Sequence, residues 1–477
     1  MAVPPEIRRR PDAGCESPPE WTARTVLHGW VVVVGAGLSV SLGAFDANVA
    51  TVVLPDIGRD FGAAPDAVQW IVLSYLIPIA ALALSAGTWF ATAGPRPAMI
   101  MLVGGFGAAS VLAGLAPSIA VMVAARAAQG VFGAGLFSAA MVVALHALPE
   151  PYQPRVIAAM TTAGALGGVG GPALGSVIAA AWGWRWVFTV CAPISALIIM
   201  AFLVGIPSGG RLPMPTRQMA IDGALIGVAV ASILLALTFM HPTSWLLAVA
   251  AVPALVLWWA RSREAQVGRL IKTRTIRTLL VGVTLVATAG MGTQFAVSFF
   301  ARSDAGLTIE QTGFVLALFA LSTALFAQVG VPLLRRFGPV AVAAFGFALL
   351  AGSIGSLVPL DSHWSVVDLG ARVAIIGAAQ GLILPALSSA MFGRAPAKMM
   401  SEASASMHLV RTLGFAAGPA LVIAAWSARD YERTGLQLGL LLSAGLAAVG
   451  VPIMLRIHAG SGWARPDKRV DVRNPAV

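Results

Sequence analysis

Gly167-Gly168-Val169-Gly170-Gly171-Pro172-Ala173-Leu174 returns near the end of the chain as Gly414-Phe415-Ala416-Ala417-Gly418-Pro419-Ala420-Leu421. Both read G-x-x-x-G-P-A-L, and residue 171 recurs as 418, an offset of 247. Each copy sits inside a long apolar run. Small residues four apart let two helices approach backbone to backbone, and proline loosens a helix by removing one hydrogen bond. Gly167, Gly171, Pro172 and Gly175 in one copy, and Gly414, Gly418 and Pro419 in the other, are read as packing surfaces that slide when the molecule changes shape. A second match is looser: Arg126 precedes Gln129-Gly130, and Arg372 precedes Gln380-Gly381. Two features at similar offsets indicate a duplicated unit in one orientation.

Composition says what kind of unit is duplicated. Of 477 residues, 58% are hydrophobic and 11% charged, against roughly a quarter charged in a soluble domain. A bilayer-crossing helix needs about 20 apolar residues. Such runs occupy 28–55, 67–91, 97–115, 117–146, 157–182, 184–207, 221–240, 243–260, 278–301, 310–334, 339–359, 367–393, 402–427 and 435–456. The expected fold is therefore an all-α integral membrane protein of fourteen transmembrane helices: two parallel six-helix halves plus two inserted helices. The expected divisions are a tail at 1–27, a first half at 28–207, the inserted pair and a basic linker at 208–277, a second half at 278–456 and a tail at 457–477. The apolar excess excludes a nucleic-acid-binding role for the net charge of +11. It also excludes a soluble enzyme, and long continuous runs are unlike the short alternating segments of a β-barrel.

Arginine and lysine fix the expected direction. About 23 of them fall in segments on one side and about five on the other, which places both termini in the cytoplasm by the positive-inside rule. Cys15 and Cys191 lie at different depths, so neither a disulfide nor a metal site is expected. Neither H-E-x-x-H nor G-x-S-x-G occurs, and the six histidines are scattered. No enzyme activity and no cofactor are expected.

One acid lies deep in the apolar segments. Asp46 is nine residues from Pro55, roughly 13 Å at the helical rise. Arg126 reaches a similar depth from Pro117, and Arg411 lies about ten residues into the thirteenth run. A charge at that depth costs a few kcal/mol, about 2.5–3.5 on insertion scales, unless it is paired or wet. Burial favours the neutral carboxyl and a nearby guanidinium favours the ionised one. A carboxyl balanced between the two suits proton coupling, so Asp46 and Arg126 are the expected proton-coupling residues; a static structural pair is the alternative. Phe45, Asn48, Trp70, Tyr75, Gln129, Met291, Gln294, Phe295 and Arg411 are candidates for the substrate cavity, although each alone also fits core packing. At the repeat offset Asp46 falls on position 293, so the second half offers Thr293 and Gln294, polar but uncharged.

Phe45-Asp46-Ala47-Asn48-Val49-Ala50-Thr51-Val52-Val53-Leu54-Pro55, Trp70-Ile71-Val72-Leu73-Ser74-Tyr75, Arg126-Ala127-Ala128-Gln129-Gly130 and the Gly167–Gly175 run resemble motifs of the fourteen-helix drug:proton antiporters of the major facilitator superfamily. The resemblance spans nearly the whole chain. It implies a proton-gradient-driven exporter of lipophilic, cationic or neutral drugs or metabolites in the cell (inner) membrane. Its partners would be a small-molecule substrate and membrane lipid, and the protein a monomer. A dedicated exporter of one metabolite or antibiotic is the alternative, and a transporter-like sensor or a membrane-embedded enzyme the alternative of another class. In that family a loop between the second and third helices helps to lock the inner gate. Here it corresponds to Gly87, Gly94 and Arg96, with Arg335, Arg336 and Gly338 as the second-half counterpart. Ala91 and Thr92 stand where the family carries an acid and an arginine, and Cys191 stands where it carries asparagine.

Overall fold

Backbone N–H and C=O groups find no water in hydrocarbon, so an apolar run of this length closes its own hydrogen bonds and becomes a helix. The structure, a computed structural model, describes residues 23–239, 245–262, 273–396 and 399–460. Most of both tails and much of the basic linker lie outside these residues. Every extended regular element among the described residues is helical.

The first half comprises α1 (Ala23–Phe61), α2 (Pro65–Val68), α3 (Trp70–Thr92), α4 (Pro95–Gly114), α5 (Ile119–His146), α6 (Gln153–Trp182), α7 (Trp184–Thr189) and α8 (Cys191–Gly205). The inserted pair is α9 (Arg217–Phe239) and α10 (Trp245–Ser262). The second half comprises α11 (Arg274–Ser303), α12 (Ile309–Phe337), α13 (Pro339–Gly355), α14 (Val366–Phe392), α15 (Met400–Ser427) and α16 (Arg433–Gly460). Among the described residues, twelve helical segments are long and apolar enough to cross a membrane, while α13 is apolar but short. The expected count of fourteen is thus met approximately.

Local chemistry explains the boundaries. Thr308 caps α12 and Ser365 caps α14, each through a reciprocal box with the residue three positions on, Gln311 and Asp368. Gly338, at φ +80°, joins α12 to α13 in a conformation that a side chain would strain. Two boundaries differ from expectation. The first helix does not stop near Pro55 but continues to Phe61, carrying Asp56 and Arg59 on its last turns, where they form an i,i+3 pair. The sixth run divides at Val190 into α7 and α8.

The duplication is visible in the packing. In the first half α1 lies on α6, α3 on α5 and α4 on α8; in the second, α11 lies on α15, α12 on α14 and α13 on α16. The halves meet along two main seams, α6 with α12 and α3 with α15, and α1 also touches α11. The inserted helices pair with each other, and α9 also rests on α3 and α15, so it covers one seam.

The repeated glycines face inside their own halves, while the helices that carry them, α6 and α15, each contribute to a contact between the halves. A Cβ on Gly171 would lie 2.8 Å from the Phe45 carbonyl oxygen of α1. One on Gly418 would lie 2.6 Å from the Thr288 carbonyl oxygen of α11. The glycines therefore weld α6 to α1 and α15 to α11. The seam contact on α6 comes one turn later, where the Pro172 carbonyl and Ser176 abut Gly313 of α12. Gly171→Val and Gly418→Val are expected to cost about 1–3 kcal/mol each by overpacking, read as lower unfolding temperatures in detergent. Gly445→Ala, with nothing within 4 Å of the added carbon, serves as the unaffected control.

Candidate functional site

Asp46 and Arg126 come together inside the first half, both at 0% exposure. Arg126 Nη1 donates to Asp46 Oδ2 at 2.6 Å and to Gln129 Oε1, while its Nε donates to the Ile71 carbonyl at 3.1 Å. Gln129 Nε2 donates to the other carboxylate oxygen, Asp46 Oδ1, at 2.9 Å and to Ser110 Oγ at 2.8 Å. Ser110 in turn donates to the Phe106 carbonyl. The guanidinium lies over the Tyr75 ring, 4.3 Å from its centroid, with Phe188 at 5.5 Å. The site draws on α1, α3, α4, α5 and α7. Arg126 and Gln129 reach it together because residues three apart share a helix face.

Both carboxylate oxygens are hydrogen-bonded to neighbours from the same half, and no second-half residue hydrogen-bonds Asp46 among the described residues. In this conformation Asp46 therefore presents nothing to a cargo. Tyr75 and Gln129 belong to the ion-pair site. Phe45 and Asn48 do not: they are half-buried against α6, next to Gly171, and Asn48 donates to its own helix at Ala44. Trp70 begins α3 and is half-buried against the core. In the second half Met291, Gln294 and Phe295 are buried on α11, with Phe295 stacked on Phe299 at 4.8 Å. Thr293 bonds back to Ala289 of its own helix. Arg411 is half-buried; its Nη2 is 3.4 Å from His408 Nδ1 and its Nε has no hydrogen-bond partner. Arg372, the repeat mate of Arg126, instead donates to the Ser356 carbonyl and lies over Trp364.

Sequence reading missed the seal between the halves. Ser298 Oγ on α11 donates to the Thr51 carbonyl on α1 at 2.5 Å, and Arg302 Nη2 donates to Asp56 Oδ1 at 2.6 Å. These pairs are 247 and 246 residues apart. Equivalent positions of the two copies thus face each other, as they must where two related helices meet on their symmetry axis. The repeat offset of 247 applied to Asp56 gives 303, one residue from Arg302, which was the signal available in the sequence.

The α3–α4 loop, which lacks the acid, is held another way. The segment leading to α9 straps it: Gly94 N–H donates to the Arg211 carbonyl at 3.0 Å, and Trp89 Nε1 donates to the Pro213 carbonyl at 2.9 Å. Gly94 meets Gly210 backbone to backbone. Gly87 lies in the last turns of α3, and Arg96 is half-buried at the start of α4. Arg335 and Arg336 occupy the last turn of α12 before Gly338, with Arg336 over Phe337. Cys191 is buried, its thiol 3.8 Å from the Val187 carbonyl of the preceding turn.

Known proteins share this architecture. The profile of the Major Facilitator Superfamily matches residues 36–218 and 219–419. Multidrug resistance protein Stp of Mycobacterium tuberculosis is 27% identical over 417 residues, covering 84% of this chain and 77% of that protein. A triacylglyceride transporter of Mycolicibacterium smegmatis is 27% identical over 458 residues, covering 89% and 80%. Among solved structures, a bacterial homologue of the human lysosomal transporter Spinster superimposes with a TM-score of 0.68 at 15% identity, covering 90% of this chain and 96% of that one. With two like halves, a multi-pass helical architecture and a profile match over most of its length, the chain belongs to the major facilitator superfamily and is a membrane transporter rather than an enzyme.

Proposed function

We propose that this transporter is a proton-coupled antiporter that exports lipophilic drugs or metabolites, cationic or neutral, across the cell membrane by alternating access, with both termini in the cytoplasm. The observation that carries the reading is the Asp46–Arg126 pair, fully buried and hydrogen-bonded within the first half. In general a nearby guanidinium favours the charged form of a carboxyl and an apolar environment the neutral form. When the halves tilt and the pair lengthens, the acid in its apolar surroundings takes up a proton from the side then open. Re-forming the pair expels that proton on the other side. Cargo occupies the space between the halves and moves in the opposite sense. The two mycobacterial relatives, one named for multidrug resistance and one for triacylglyceride transport, support a lipophilic cargo. The basic segments at the Arg335 end support a cytoplasmic assignment for that end, so the Asp56–Arg302 seal faces outward.

Three outcomes test this. In inverted vesicles carrying a proton gradient, Asp46→Asn abolishes gradient-driven transport of lipophilic dyes; unchanged transport removes Asp46 from the mechanism. Asp46→Asn also strands a buried guanidinium and costs about 3–5 kcal/mol in unfolding free energy, and adding Arg126→Gln recovers part of that loss. At the seal, Asp56→Arg alone reduces export roughly tenfold by weakening the outer-closed state about 1.4 kcal/mol. Pairing it with Arg302→Asp restores export.

A further inference from the structure

A chamber of about 650 Å³ lies on the far side of the seal, walled by both halves. That volume is in the range of small-molecule sites. Its charged wall is Arg59 from the first half with Arg302, Asp304 and Arg433 from the second. Arg59 and Arg302 both direct a guanidinium nitrogen at one atom, Asp56 Oδ1. Arg433 has Asp304, 3.6 Å away. Three arginines thus stand beside Asp56 and Asp304, with a third carboxylate, Asp66, at Tyr431.

Two lining side chains have a buried N–H donor without a partner, Arg302 Nε and Trp426 Nε1, while the acceptor Asp56 Oδ2 of the Arg302 pair is also without one. Trp426 is 6% exposed, so its indole N–H has little access to bulk water. The apolar wall is aromatic: Phe299 and Tyr431 flank Trp426 edge to face, with centroids at 5.3 and 5.4 Å. The α15–α16 connector is bent to place Tyr431 there. Asp430 and Tyr431 adopt φ of +52° and +60°, conformations that cost of order 1 kcal/mol or more for residues with a side chain. Burial, and then the neighbouring Asp66 carboxylate to which it is hydrogen-bonded, push the Tyr431 phenol up to about 12. It therefore remains a proton donor to the first half at neutral pH.

We propose that this outer chamber binds a monoanion with an apolar body, such as an aromatic carboxylate or the headgroup region of an anionic lipid. The anion meets Arg433, Arg302 and the Trp426 N–H, and the body lies on the aromatic wall. Because the walls come from both halves, the site is complete only while the outer end is closed. An occupant accordingly favours that state in proportion to its differential affinity. This chamber is separate from the Asp46 site and does not depend on the direction or coupling of transport.

The test is a fluorine NMR titration of 4-(trifluoromethyl)benzoate against the purified full-length protein in uncharged detergent, with empty micelles subtracted. Saturable binding is expected, about tenfold tighter than that of 4-(trifluoromethyl)benzamide, since hydrogen bonds to an ionised acceptor are about twice as strong. Arg433→Gln and Trp426→Phe each weaken the benzoate about fivefold or more, whereas Arg429→Gln, an exposed arginine of the same connector that does not line the chamber, changes nothing. Equal affinity for acid and amide, or equal weakening by Arg429→Gln, overturns the proposal. Displacement of the probe by phosphatidylglycerol identifies a lipid headgroup as the occupant. Saturable binding that phosphatidylglycerol leaves intact identifies a soluble carboxylate.

Discussion

A carboxylate and a guanidinium cannot be left singly in hydrocarbon, and the first half is organised around meeting that constraint. Asp46 and Arg126 neutralise one another, and Gln129, Ser110 and the Ile71 carbonyl take up hydrogen-bonding capacity that the pair leaves over. Because these groups come from α1, α3, α4 and α5, the network ties those helices into one body. A buried pair of this kind is weak evidence for stability, since desolvation offsets much of its Coulombic gain. In the function proposed above, its significance is that breaking it is expensive and that a proton on the carboxyl would make breaking it cheaper. That is the property a proton-driven machine requires.

The second half repeats the helices without repeating the charge. Thr293 occupies the position of Asp46 and turns its hydroxyl back onto its own helix, while Arg372, at nearly the same place in its helix as Arg126, bonds the Ser356 carbonyl and lies over Trp364. Duplication of a fold therefore did not oblige duplication of a site. The symmetry acts elsewhere. On the axis between α1 and α11 equivalent positions meet, and an unchanged duplication would bring like charges together there. Asp56 and Arg302 have opposite signs at equivalent places, which turns an enforced contact into a latch.

The α3–α4 loop illustrates how one interaction substitutes for another. Ala91 and Thr92 leave the loop without the acid and arginine that the sequence motif led one to expect there, yet the loop is held by the backbone of residues 211–213 and by the contact of two glycines. The holding segment is the one that leads to α9, and α9 lies across the α3–α15 seam. The helix α9 is thus connected, through its leading segment, to the α3–α4 loop and, directly, to the α3–α15 contact between the halves.

Much of this was legible in the chain itself. Hydrocarbon demands continuous apolar runs and satisfied backbone, so helices, their number to within a few, and the duplication could be read from run length and the G-x-x-x-G-P-A-L repeat. Asp46 and Arg126 stood out because charge at depth is costly wherever the helices go. What each side chain faces was not legible, because helix rotation and seam geometry are set by contacts between segments hundreds of residues apart. Only the tertiary structure decided that the glycines weld helices within a half, that Phe45 and Asn48 face α6, and that Asp56 meets Arg302. The same long-range packing creates the outer chamber, whose walls come from opposite ends of the chain and leave no local signature in it.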